Sequence, residues 1–282
     1  MATILVLAHE YDGFPERTYL LRGFFEHWER SGHRTVVMQG VPRQADADVV
    51  VLHVDVSVVP EEFLAFAAGF PVVINRTVRD IRKTAVSRFL VRPGDRWDGR
   101  VMVKSNFNSG GTAEALHNTA AALRQRPLPY PTFKLNKTYR IYQSVAEVPD
   151  AVWSDPHLVV ERFTPEQDDK GYWRRTWTFF GDREQCSRYC VPTPTSFRAT
   201  DREPAPVPDE LRAERKRLGF DYGKFEFVIH RGKAVLFDAN RTPAATGGLE
   251  LLSSRSLASL AMGIETFVRA AQLSREDRPS DS

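Results

Sequence analysis

Residues 219–243 read GFDYGKFEFVIHRGKAVLFDANRTP. Two runs in this stretch, 224–229 and 234–240, are rich in Phe, Val, Leu and Ile, and His230-Arg231-Gly232 lies between them. The pattern predicts a β-hairpin. A three-residue loop would place Gly232 in the left-handed region, which a residue without Cβ reaches at no steric cost. Side chains alternate along a strand, so this loop length also predicts the faces. Phe225, Phe227, Ile229, Val235 and Phe237 share an apolar face, and Glu226, Asp238 and Asn240 share the other. A two-residue loop would split Glu226 from Asp238.

Two carboxylates and an amide on one face of an apolar hairpin call for a partner, because a buried carboxylate is costly unless paired or metal-bound. Oxygen donors of this kind suit a hard cation, and Mg²⁺ commonly shares its shell with waters and phosphates. The order Gly-x-Asp-Tyr-Gly-x-x-Glu, a hairpin, then Phe-Asp-x-Asn-x-x-Pro resembles the metal-binding end of the ATP-grasp superfamily. That superfamily includes glutathione synthetase and D-alanine–D-alanine ligase. Its usual form has Asp on the first strand and Glu-x-Asn on the second. Here the acids are exchanged, Glu226 standing where Asp is usual and Asp238 where Glu is usual. The resemblance implies ATP and Mg²⁺ as cofactors, with Mn²⁺ as an alternative ion.

The chain has 282 residues, enough for a sizeable core and two or three lobes. Its net charge is +3 and its pI about 8.9, a mild excess spread along the chain. That gives little support to a nucleic-acid partner. Arg outnumbers Lys, which suits a phosphate-handling protein. Cys186 and Cys190 have no His or Cys partner at zinc spacing and read as reduced thiols. The first residues, MATILVLA, lack a basic leader and lead straight into a strand, so no signal peptide is expected. No apolar run has the length of a membrane span. A cytoplasmic protein without a membrane partner is the expectation.

Apolar strands at 3–8, 34–38, 48–54 and 71–74 alternate with helices at 15–30 and 60–68. This alternation predicts a parallel α/β sheet. Ligands bind such sheets beyond the carboxyl ends of their strands. His9, Glu10 and Asp12 lie at one such end, and His53 and Asp55 at another, which makes them candidates for a substrate pocket. The ATP-grasp resemblance implies that a lobe of this kind helps hold the acceptor substrate.

Residues 78–91, VRDIRKTAVSRFLV, predict a basic amphipathic helix carrying Lys83. A strand at 101–104 ends in Lys104 and enters a loop from Ser105 to Gly111, followed by a helix at 112–124. Backbone amides of such a loop can point at anions, so Asn106, Asn108, Gly110 and Gly111 are candidate phosphate contacts. The Gly-x-x-x-x-Gly-Lys order of a P-loop is absent. In the ATP-grasp resemblance Lys104 meets the α- and β-phosphates beneath this loop.

A strand at 158–163 emerges at Thr164-Pro165-Glu166. The resemblance makes Glu161, Arg162 and Phe163 the hinge that reads the adenine edge, and Glu166 or Asp168 the acid that holds the ribose. A strand at 172–180 carries Arg174 and Arg175 on opposite faces. The resemblance implies an Arg aimed at the γ-phosphate; Arg175 matches better, with Arg174 as the alternative. Arg241, just beyond Asn240, could meet the substrate carboxylate. Residues 185–191 predict a partner strand, 192–207 a mobile loop, 210–218 a short helix and 256–271 a final helix.

The resemblance therefore implies an α/β (α+β) protein with the ATP-grasp fold behind an N-terminal parallel lobe at 1–77. A central subdomain at 78–160 carries the phosphate loop. A C-terminal subdomain at 161–273 carries the metal hairpin, and residues 274–282 form a disordered tail. The implied function is an ADP-forming carboxylate–amine ligase acting through an acyl phosphate on small-molecule or peptide substrates, with a homodimer as an open option. The alternatives are a kinase on the same fold and a non-catalytic ATP-binding module.

Overall fold

The structure is a computed structural model that describes residues 1–14, 16–135, 139–196, 199–244 and 253–276, the side chain of Asp201 excepted. The N-terminal lobe is a four-stranded parallel sheet ordered β2-β1-β3-β4, made of β1 (Thr3–Ala8), β2 (Arg34–Gln39), β3 (Val49–Leu52) and β4 (Val72–Ile74). Helix α1 (Arg22–Arg30) lies between β1 and β2, and α2 (Glu61–Ala68) between β3 and β4. Both faces of the sheet are covered, which is why its central strands read as continuous apolar runs. Ile4, Val6, Val49 and Val51 pack toward Phe24 and Trp28 of α1, while Leu5, Leu7, Val50 and Leu52 pack toward Phe63 of α2.

The segment that follows is not the helix expected at 78–91. Helix α3 is one turn, Lys83–Val86. Tertiary pairing takes the flanks: the Ile81 N–H donates to the Ser57 carbonyl at 2.9 Å, and the Val91 N–H to the Val160 carbonyl at 2.9 Å. Asp80 accepts from the Arg82 N–H at 2.8 Å, a local turn that competes with helix. Then come β5 (Val101–Ser105), a short 3₁₀ turn at Asn108–Gly111, α4 (Thr112–Leu123), β6 (Arg140–Tyr142), α5 (Asp150–Trp153) and β7 (Leu158–Arg162). The strands form a three-stranded antiparallel sheet, β6-β5-β7.

The large sheet is antiparallel and ordered β11-β10-β9-β12-β13, with β8 also paired to β9. Its strands are β8 (Glu166–Asp168), β9 (Gly171–Phe180), β10 (Arg183–Val191), β11 (Thr200–Pro204), β12 (Tyr222–His230) and β13 (Lys233–Asn240). Strand β11 lies inside the stretch expected to be a mobile loop; its main chain pairs with β10, Ser187 facing Pro204. Helix α6 (Asp209–Leu218) covers one face, burying Leu211 against Trp177, Phe179, Phe225 and Phe227.

The hairpin loop is shorter than expected. His230 pairs with Lys233, so Arg231 and Gly232 form a two-residue turn, both with positive φ (51° and 78°). Yet Glu226 still faces Asp238, because the register shifts by one residue between Phe227↔Leu236 and Glu226↔Asp238. Phe237 is the extra residue of a β-bulge. The apolar face is therefore built from Phe225, Phe227, Leu236 and Ala239. Val235 pairs with Val228, and Phe237 turns to the opposite, cleft side.

The final helix is two helices, α7 (Ser254–Ala261) and α8 (Ile264–Glu276). They break at Gly263, where a Cβ would collide with the Phe180 carbonyl. Helix α8 runs three residues into the expected tail, and 277–282 lie outside the described residues. Ile264, Val268 and Ala271 pack with Ile4, Val6 and Val49, so α8 joins the core of the N-terminal lobe. Among the described residues no helix is long and apolar enough to cross a membrane.

Candidate functional site

A cleft of about 820 Å³ opens between the β6-β5-β7 sheet and the large sheet. Its charged wall carries two lysine–acid pairs and the acid of a third, whose lysine stands beside the cleft. Lys83, the first residue of α3, pairs with Asp238. Lys104 of β5 pairs with Glu161 of β7 and donates to the Phe237 carbonyl at 3.1 Å. Lys224 of β12 pairs with Glu226 two residues along at 3.0 Å. Lys83, Lys104 and Glu161 are each at most 5% exposed. Burial pushes the Asp238 carboxyl up, but Lys83, Lys104 and Lys224 outweigh it and hold it below the ordinary range. Lys224 is pushed down by burial and held above its usual value by Glu226 and Asp238. Tyr139, on the same wall, is shifted above its usual range by burial and by Asp238 and Glu226. Sequence reasoning missed Lys224 and Tyr139. Strand parity could have found Lys224, since it precedes Glu226 by two.

The donor set fits a hard divalent cation. Glu226 and Asp238 are direct cross-strand neighbours, and Asn240 pairs with Lys224 one step along the same face. Among the described residues no group of three or more His, Cys, Asp or Glu converges on a metal position. A cation held here would therefore complete its shell with water and phosphate oxygens, as Mg²⁺ does.

The two arginines of β9 separate cleanly. Arg174 lines the cleft and donates to the Pro194 carbonyl at 2.5 Å. Arg175 stands across from Phe227 on the α6 side and makes a two-pronged pair with Glu166, at 3.0 and 2.5 Å. Arg175, the residue expected at the γ-phosphate, does not line the cleft, because pairing with Glu166 and the strand's alternation turn it away; Arg174, the alternative, does. Glu166 also accepts from the Ile229 N–H at 2.7 Å, so this candidate for the ribose is committed although it borders the cleft. Asp168 is exposed and accepts from Trp173 Nε1 at 2.7 Å; it does not line the cleft.

At the expected hinge, Arg162 and Phe163 line the cleft, but their N–H groups are taken. They donate to Phe89 and Arg100 carbonyls, each at 2.9 Å. Thr164, next in the chain, also lines the cleft. The loop residues stand elsewhere. Asn106 accepts from the Thr84 N–H at 3.1 Å, and its carbonyl accepts from the Lys83 N–H at 2.8 Å, so it fixes the backbone that carries Lys83. Asn108 donates its N–H to Ser57 Oγ at 3.0 Å. Gly110 and Gly111 have positive φ, and a Cβ on Gly111 would strike the Phe133 ring. Phe133 stacks on Phe107 at 4.6 Å, so the loop is packed under an aromatic pair and does not line the cleft.

Arg241 does not face the cleft. It is wholly buried and donates to the carbonyls of Val54 (3.1 Å), Val78 (3.4 Å) and Val56. Burial lowers it to about 10. The expected contact with a substrate carboxylate is corrected to a clamp on the N-terminal lobe, since every prong of its fork is directed at a backbone carbonyl.

The strand-end residues of that lobe form a buried cluster. Tyr19 Oη lies 2.8 Å from both Asp12 and Asp55, and Arg17 is 2.9 Å from Asp55. Burial raises Asp12 to about 6. His9 stacks on His117 at 4.3 Å, and burial lowers His53 to about 4 and His117 to about 3. Glu10 stays exposed.

No model of a known protein family matches the chain, and no curated protein matches it. Solved structures do. A RimK domain ATP-grasp protein from Sphaerobacter thermophilus superposes with a TM-score of 0.53 at 14% identity, covering 95% of this chain and 100% of the other. A D-alanine–D-alanine ligase from Bacillus anthracis complexed with ATP gives 0.54 at 14% identity, covering 97% and 100%. At such identities the likeness carries the fold.

Proposed function

We propose that this chain, whose fold is that of the ATP-grasp proteins, is an ATP-dependent ligase that joins a carboxylate to an amine and releases ADP and phosphate. One observation carries the reading: a single cleft is lined by two lysines, each paired with an acid, and by Glu226 directly across from Asp238, with a third lysine, Lys224, paired to Glu226 beside it. A nucleotide triphosphate supplies the anionic partner that such lysines take once their acids turn to a cation.

The adenine lies against the strand end at Glu161 to Thr164, with Thr164 as the donor, since Arg162 and Phe163 are already engaged. Lys104 and Lys83 meet the phosphates. Mg²⁺ held by Glu226, Asp238 and Asn240 would offset the charge of the β- and γ-phosphates. A substrate carboxylate oxygen attacks the γ-phosphorus in line, the bond to the β–γ bridging oxygen breaks, and ADP leaves. Arg174 and Lys224 stabilise the charge on the transferring group. The amine nitrogen then attacks the acyl carbon, loses a proton, and expels phosphate. Positioning and electrostatics account for most of this chemistry.

The test is an amino-acid and peptide screen scored for nucleotide product, free phosphate and amine dependence. ADP, free phosphate and an amine requirement are expected, and hydroxylamine should trap the acyl phosphate as a hydroxamate. AMP would overturn the mechanism. A stable phosphorylated product formed without amine would assign a kinase instead.

A further inference from the structure

The chain leaves β13 through Asn240-Arg241-Thr242 and settles at once on the N-terminal lobe. Arg241 clamps the Val54 and Val56 carbonyls, and the Leu20 N–H donates to the Pro243 carbonyl at 2.9 Å. Thr242, 2% exposed, stands between Asn240 and Asp55. Its N–H donates to Asn240 Oδ1 at 2.8 Å. Its hydroxyl lies 2.6 Å from Asp55 Oδ1 and 3.2 Å from Asn240 Oδ1.

A hydroxyl has one proton to give. The carboxylate is both the nearer and the stronger acceptor, so the proton goes to Asp55. An amide oxygen has two lone pairs. One on Asn240 takes the Thr242 N–H, and the other is left open.

We infer that Asp55, three residues beyond β3, is a positioning residue for the metal-binding hairpin: by drawing the Thr242 proton to itself, it keeps one lone pair of Asn240 Oδ1 available to a divalent cation. The inference rests on reading Glu226, Asp238 and Asn240 as ligands of Mg²⁺. It fixes the direction of the effect. Asp55 Oδ2 accepts from Arg17 at 2.9 Å and lies 2.8 Å from Tyr19 Oη, whose single proton Asp12 shares at the same distance. In Asp55→Asn the amide oxygen must stay with the Arg17 guanidinium, which can only donate, so the NH₂ faces Thr242. Thr242 then accepts from that NH₂, and its own proton turns onto Asn240, where it competes with the cation. Removing the hydroxyl as well should relieve the competition.

Mn²⁺ binding in the presence of ATP, followed by electron paramagnetic resonance, reads this directly without turnover. Asp55→Asn should weaken Mn²⁺ by about tenfold, the low end for a residue that orients a ligand. Thr242→Val should stay within about twofold of the wild type, because the backbone N–H still holds Asn240. The double variant should recover to within about threefold. A double variant as weak as Asp55→Asn, or weaker, overturns the inference. So does a tenfold loss in Thr242→Val alone, and that outcome counts even if Asp55→Asn fails to fold. Wild-type protein that binds no Mn²⁺ with ATP would instead remove the metal reading, and the inference with it.

Discussion

Glu226 faces Asp238 across the β12–β13 ladder although the turn joining their strands has two residues, because Phe237 is an extra residue that restores their pairing. The bulge does a second thing. It frees the Phe237 carbonyl to accept from Lys104 at 3.1 Å and turns the ring toward the same ammonium, 5.6 Å away. Deleting Phe237 should leave Asp238 across from Glu226 in a regular ladder, since Leu236 already pairs with Phe227, but remove the bulge carbonyl and the ring that hold Lys104. The hairpin should stay folded, and ATP affinity measured by calorimetry should fall.

Lys104→Ala should weaken ATP binding by more than tenfold in calorimetry, since it removes the buried charge proposed to meet the phosphates. It also leaves Glu161 buried with Ser87 Oγ as its remaining partner. Lys104→Ala with Glu161→Gln should recover stability, read as Tm, and leave ATP binding impaired. Unchanged ATP affinity in the single variant would count against the nucleotide assignment.

The two arginines should fail in different ways. Arg174→Ala should keep its Tm within about 2 °C, as a cleft-facing substitution, and lose roughly 10²-fold or more in kcat/KM, the scale for removing one charge-stabilising donor. Arg175→Ala breaks the pair with Glu166. It should cost on the order of 3 kcal/mol, or about 6–12 °C in Tm, with a smaller effect on turnover. The opposite pattern would restore Arg175 to the site.

Arg241→Met should destabilise by about 4 kcal/mol, because the carbonyls of Val54, Val56 and Val78 lose their donor inside the protein. Urea denaturation measures it. A variant of normal stability with a raised KM for the carboxylate substrate would show that Arg241 reaches substrate after all.

Acid should loosen the N-terminal lobe. Folding lowers His53 to about 4 and His117 to about 3 from the ordinary 6.5. Stability from these neutral rings is present above pH 6.5 and lost as pH falls toward 4 and 3. Asp12, raised to about 6, acts oppositely: its contribution is full near pH 4 and lost as pH rises through 6. Two histidines outweigh one carboxyl, so Tm should fall between pH 6.5 and 4. His117→Phe, which keeps the stack on His9, should flatten that fall. An identical pH profile in the variant would remove His117 as a cause.

Much of the fold was written in local pattern. The apolar runs of β1 and β3, the hairpin, and the order Lys83, Lys104, Glu161, Glu226, Asp238 are legible because strand and helix periodicity is set by neighbours a few residues apart. What the chain alone left open was decided by contacts between distant segments. Which of two adjacent arginines enters the cleft follows from Glu166 and from the core beneath Phe227. Arg241 reads as a substrate contact until the Val54 and Val56 carbonyls are seen to fill its fork. Residues 78–91 carry a helical pattern, yet partners at Ser57 and Val160 hold their flanks extended. The hairpin shows the division within one element. Turn chemistry at Arg231-Gly232 fixes a two-residue loop, while the bulge at Phe237, which returns Asp238 to the face of Glu226, arises where the strand meets Lys104 and the cleft. A one-residue shift reverses every side chain beyond it.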